Sequence, residues 1–199
     1  MPNNTANEIR RSFRSRMNGV VSQNMRSYGS EYRINWGVSL LHLKEMAAEY
    51  EPDSEVARIL WHDDVRESRI MALLLMPADG FDPETAREWI ADLRNQEMAE
   101  MAATLLFSKL TYAPSLALDA MHDANALTRI FAFNLMARLV TNGYRPEEKL
   151  LEDVIGCIAE EMQGDNLKTK HAAFSCGMKM DNADILADNK AWHNMCLLS

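Results

Sequence analysis

The chain has 199 residues, of which 47% are apolar and 25% charged, and a net charge of −8. That length supports one domain with a real hydrophobic core, and the acidic balance argues against a generic polyanion binder. No apolar stretch approaches the roughly 18 residues of a membrane span, and MPNNTANEIRRSFR lacks the apolar core of a secretory leader.

Taken in chain order, the pattern predicts helices at 6–28 (with a break near Gly19), 39–50, 54–62, 65–76, 83–93, 95–110, 115–122, 125–141, 147–163 and 166–179. A short helical tail is expected over 183–196. Asp82-Pro83-Glu84 supplies an N-cap, a first-turn proline and a first-turn acid; Pro146-Glu147-Glu148 opens a helix in the same way, and Ser54 follows Pro52-Asp53. Gly80, Gly143 and Gly164 fall where helices should stop. Nothing alternates with period two, so no strand is expected and the fold class is all-α.

Charge is uneven along this frame. Residues 1–33 carry six arginines (10, 11, 14, 16, 26 and 33) against two glutamates, a balance of +4 that leaves −12 for the remainder. A basic arm on an acidic body can meet phosphates locally, or it can be a solvated amphipathic helix. Cys157, Cys176 and Cys196 have no CxxC spacing and read as reduced thiols in a cytoplasmic protein, the first two in the core. His62-Asp63-Asp64 reads as a capping segment for the helix at Val65 rather than as metal ligands. His171 is expected to be packed or partly buried, with phosphate contact as the alternative, and Trp36, Trp61 and Trp89 lie on apolar stripes and are expected in the core. Trp192 belongs to a tail that could cover the last helical pair. No nucleophile, Walker or dinucleotide motif is present, and no metal or organic cofactor is expected.

From residue 54 onward the helices pair, the pairs starting near 54, 83, 115 and 147. The second helices align on one pattern: Arg69-Ile70-Met71-Ala72, Glu100-Met101-Ala102-Ala103, Arg129-Ile130-Phe131-Ala132 and Lys170-His171-Ala172-Ala173. A charged residue is followed three positions later by alanine. This is the signature of an α-solenoid of HEAT-like antiparallel hairpins, with small residues where neighbouring pairs approach. The reading is one domain over 1–199, with N-terminal helices to 52, four pairs over 53–180 and a capping tail over 181–199. A monomer is expected.

Residues at equivalent positions of stacked second helices form a stripe, here Arg69, Glu100, Arg129 and Lys170. Glu100 either pairs with the cations on either side of it or faces a developing positive charge, as an anion does at an oxocarbenium-like transition state.

The segments NWGVSLLHLKEMAAEY and LWHDDVRESRIMALLL resemble the DNA alkylation repair proteins, the AlkD-like HEAT-repeat glycosylases. The likeness rests on Gly37-Val38 before a long helix, Leu60-Trp61 closing the next and Arg66-Glu67-Ser68-Arg69 leading the third. It extends from about Ile9 to Met180. It implies duplex DNA bound in a concave groove and hydrolysis of the N-glycosidic bond of N3- or N7-alkylated purines, without base flipping. Carried over by position, the family's aspartate falls on Glu100, its two tryptophans on Gln96 and Phe174, and its backbone-binding arginine on Arg129, with Lys170 as its lysine. Arg69, Arg10, Arg11 and Arg14 are further expected phosphate contacts, and an arginine common in relatives is Gly177 here. The alternative is a HEAT scaffold that binds a protein partner or a DNA structure without chemistry, favoured by the missing wall at Gln96.

Overall fold

Side-chain caps set where the helices begin. In the computed structural model, which describes residues 1–27 and 32–198, Asp53 accepts hydrogen bonds from the backbone N–H groups of Glu55 and Val56 at 2.8 and 3.1 Å. Asn95, Asn125 and Asn166 cap three later helices in the same way. The last residue of the expected 6–28 helix, Tyr28, and Glu31 of the basic arm lie outside the described residues. Among those described, the chain is all-α: its only β feature is an isolated bridge between Ile34 and Val65. None of its helices is long and apolar enough to cross a membrane. Two compact units are present, Met1–Asp82 and Pro83–Ser199.

The first unit contains α1 (Pro2–Ser12), a 3-10 turn (Phe13–Arg16), α2 (Gly19–Ser27), α3 (Leu40–Ala47), α4 (Ser54–Trp61) and α5 (Arg66–Leu75). The expected break before Gly19 is present, with extended backbone at Met17. Here α1 packs on α4, and α5 on both α3 and α4. Ile9, Phe13, Leu43, Leu60, Trp61 and Ile70 fill the interior. Gly37 has φ +69, and a Cβ there would lie 2.3 Å from the carbonyl oxygen of Asn18, so only glycine fits between the two segments. Asp63 does not cap α5: Val65 is the N-cap and makes no side-chain cap bond. The Asp63 carboxylate is taken by Arg10, as described below.

The second unit contains α6 (Pro83–Ala91), α7 (Gln96–Leu105), a 3-10 turn (Phe107–Lys109), α8 (Ala113–Met121), α9 (Ala126–Thr141), α10 (Glu148–Gln163), α11 (Leu167–Asp181) and α12 (Lys190–Leu198). α9 packs on α7, α8 and α11 and is apolar nearly all round, as a central helix must be. Phe131 on α9 meets Phe107 edge-on, centroids 4.9 Å apart. The expected 95–110 helix stops at Leu105 because the backbone leaves the helical region at Leu106 (φ −124, ψ −59).

The alanines at the shared position of the second helices, Ala72, Ala103, Ala132 and Ala173, are all fully buried. Cys157 and Cys176 are buried and Cys196 is exposed. Burial raises the Cys157 thiol, with Glu160 and Asp153 adding to it, and pushes Cys176 up to about 12. Because the thiolate is the reactive form, one thiol per chain should react with a bulky disulfide reagent at pH 8 in the native state, and three in denaturant. Two or more rapid native thiols would contradict this packing.

Candidate nucleic-acid interface

The four members of the charged column do not share one environment. Arg69 on α5 is fully buried. Its Nε–H donates to the carbonyl of Asp63 at 3.1 Å, and its guanidinium lies over the Trp61 ring, 4.9 Å from the centroid. A side chain so enclosed reaches no phosphate, which corrects the expectation that Arg69 contacts DNA. Its task is internal: it ties the α4–α5 turn to α5.

Beside it on α5 is a feature the column pattern did not single out. Glu67 is fully buried and accepts backbone N–H groups of Trp36 at 3.1 Å and Val38 at 3.2 Å. Arg66, 2% exposed, donates to the same carboxylate at 3.3 Å and to the carbonyl of Val38 at 3.0 Å. The Gly37-Val38 and Arg66-Glu67 segments quoted in the sequence are thus the two halves of one latch. An arginine and a glutamate leading a helix whose remainder from Ile70 to Leu75 is apolar were the available signal, because charge in that setting needs a buried partner.

Glu100 stands on α7, exposed to solvent. The Gln96 side-chain amide, one turn earlier, donates to it at 2.9 Å. The cation expected beside it is absent: among the described residues no guanidinium or ammonium lies within ion-pair distance of Glu100. Arg129 is drawn elsewhere. Its Nε–H donates to Glu161 at 2.8 Å, and Nη1 donates to the carbonyls of Asp123 and Ala124, both at 2.9 Å. The other oxygen of Glu161 accepts from the Thr169 hydroxyl on α11. Arg129 therefore bridges the α8–α9 turn to α10, and only a fifth of its side chain is exposed.

Lys170, half-buried on α11, has no carboxylate at ion-pair distance among the described residues. His171 is exposed rather than packed. Phe174, one turn after Lys170, does not stand open. The Trp192 ring lies against it with centroids 5.6 Å apart and is itself 1% exposed. Gly177, on the same face, makes the room: a Cβ there would lie 2.3 Å from Trp192. The expected docking of the tail is observed, and it covers the aromatic side chain expected to meet a nucleotide.

In the first unit, Arg10, Arg11 and Arg14 line a cleft of about 630 Å³ together with Phe13, Arg33, Trp36, His62 and the 63–65 segment. Arg10 grips Asp63 with two hydrogen bonds of 2.7 Å. That bidentate pair is the strong form of the interaction, and it commits Arg10 to holding α1 on the α4–α5 turn. Trp36, expected in the core, is half-buried at the cleft wall.

Paired helices whose second members each bury an alanine define an all-α protein of the HEAT-like helical-repeat class. A solved structure described as a new family of proteins related to the HEAT-like repeat DNA glycosylases, with affinity for branched DNA structures, superposes with a TM-score of 0.84. It covers 93% of this chain and 79% of its own at 14% identity, and so shows the shared fold. No curated protein matches the chain. The chain belongs to the DNA alkylation repair enzyme family, which it matches over residues 9–173.

Proposed function

We propose that this protein binds double-stranded DNA through the Lys170-bearing head of α11, and that it recognises DNA structure rather than enclosing a lesion. The observation that carries the reading is Lys170: a cation at the head of α11 with no carboxylate partner among the described residues, in a chain of the DNA alkylation repair family. The structural relative's affinity for branched DNA points in the same direction. Phosphate neutralisation dominates such binding and makes it salt-dependent. A Lys170→Ala variant should bind duplex DNA more weakly and lower the slope of log K against log salt by about 0.9. An unchanged slope would remove Lys170 from the interface.

A second reading, hydrolysis of the N-glycosidic bond of alkylated purines, is favoured by the Glu100 carboxylate, which stands exposed on α7. Its surroundings count against a large effect. An anion about 4 Å from a developing cation contributes about 1 kcal/mol in bulk water, against about 4 kcal/mol at an effective dielectric near 20, and an exposed carboxylate lies toward the first of these. Gln96 supplies no aromatic wall, and Phe174 is spent on Trp192. We therefore expect no release of 7-methylguanine or 3-methyladenine from methylated duplex DNA above background. Release by the wild type that disappears in Glu100→Gln would establish hydrolysis and displace the purely binding reading.

A further inference from the structure

We propose that the arginine-lined cleft of the first unit is a nucleotide-binding site for an unpaired DNA strand, taking a phosphate among Arg11, Arg14 and Arg33 and a base against the Arg14–Trp36 stack. The proposal rests on the reading of the chain as a DNA binder and adds a second, chemically different site to it.

Charge pairing separates this cleft from a merely solvated arm. The body outside residues 1–33 carries −12, so arginines on a solvated face have abundant carboxylates to meet. Arg16 meets two of them, Glu45 at 3.2 Å and Glu49 at 3.6 Å. Arg11, Arg14 and Arg33, close by in sequence, meet none among the described residues, and all three are exposed and line the cleft. Two acids also line it, Asp63 and Asp64, and Arg10 holds Asp63 through both carboxylate oxygens. Against those two acids stand four guanidinium groups, so the cleft carries net positive charge on a chain of net charge −8.

Shape and rigidity fit the same ligand. A volume of about 630 Å³ lies within the range of small-ligand clefts, roughly 300–1,000 Å³. The walls are fixed before any ligand arrives. The Ile34 backbone N–H donates to the carbonyl of Asp64 and the Arg66 backbone N–H to the carbonyl of Ile34, both at 3.2 Å, and Trp36 is held through its backbone N–H by buried Glu67. The Arg14 guanidinium lies 5.6 Å from the Trp36 ring centroid. A guanidinium held on an indole offers both a flat surface for an unstacked base and N–H donors for a phosphate. A base inside a duplex presents no such face, so the ligand is a strand end, a gap or a branch point rather than paired DNA.

The test uses the full chain, a fluorescent thymidine oligonucleotide, a duplex of equal length and thymidine monophosphate. The Arg14→Ala/Arg33→Ala variant should bind the single strand at least about tenfold more weakly. Its salt slope should fall by about 1.4, two contacts at roughly 0.7 each. Trp36→Leu should weaken single-strand binding by roughly fivefold or more, with less effect on the duplex; thermal melts confirm that each variant is folded. Unchanged single-strand binding in both cleft variants, with Lys170→Ala still weakening the duplex, overturns the cleft and leaves the DNA reading standing. Wild type that binds neither DNA form defeats both. Arginine-dependent binding of thymidine monophosphate without any binding of the oligonucleotide overturns the strand in favour of a free nucleotide.

Discussion

Glu67→Ala should cost about 3–5 kcal/mol, a fall of roughly 6–20 °C in melting temperature for a chain of this size. The magnitude follows from what the carboxylate does. It is fully buried, accepts two backbone N–H groups of the 36–38 segment, and faces Arg66, itself 2% exposed. Alanine leaves two buried donors without this acceptor and strips a buried guanidinium of a carboxylate. Glu67→Gln keeps one oxygen for a backbone N–H and should fall between alanine and wild type. Thermal unfolding followed by far-UV circular dichroism reads both. A loss below about 1 kcal/mol for alanine, the range of an exposed pair, would mean that the latch is open to water.

Gly177→Arg should expel Trp192 from α11. Even a Cβ at this position lies 2.3 Å from the ring, so an arginine and the indole cannot share the site. The tail then loses a contact whose truncation costs on the order of 3–5 kcal/mol for a buried aromatic. α12 should become the first site of proteolytic cleavage, and Trp192 fluorescence should shift to the red as the ring enters water. The same variant uncovers Phe174 and adds a cation about two helical turns from Lys170 on α11, so duplex affinity should rise. Unaltered protease resistance and emission would show that the tail is held by other contacts, such as fully buried Leu186.

The helices and their pairing were legible because caps, first-turn prolines and terminal glycines are local signals. Asp53 caps the helix read as starting at Ser54, while Asn95 and Asn125, which had not been read as caps, begin helices whose ranges periodicity had already given. The alanine column was legible because close helix approach restricts side-chain size at a fixed register. The charged column was misleading because register fixes where a side chain starts, not where it ends. Arg69 and Arg129 begin at equivalent positions. Arg69 folds onto Trp61, and Arg129 reaches Glu161, 32 residues later in the chain. Such partners are distant in sequence, and spacing within one helix holds no information about them. The same limit hid the Arg10–Asp63 grip, 53 residues apart, and allowed Asp63 to be read as a cap. Gly177 was visible as a missing arginine. That its emptiness is filled by an indole from the tail required coordinates.

The central claim is that this member of the family meets DNA through unpaired cations. Its most direct test is the affinity of the wild-type chain for a forked DNA with single-stranded arms and for a linear duplex across a salt series. The account predicts that log K falls linearly with log salt for both, with the fork bound more tightly because its unpaired nucleotides can also enter the arginine cleft. Binding that does not change with salt, or no binding to either DNA at low salt, would contradict it.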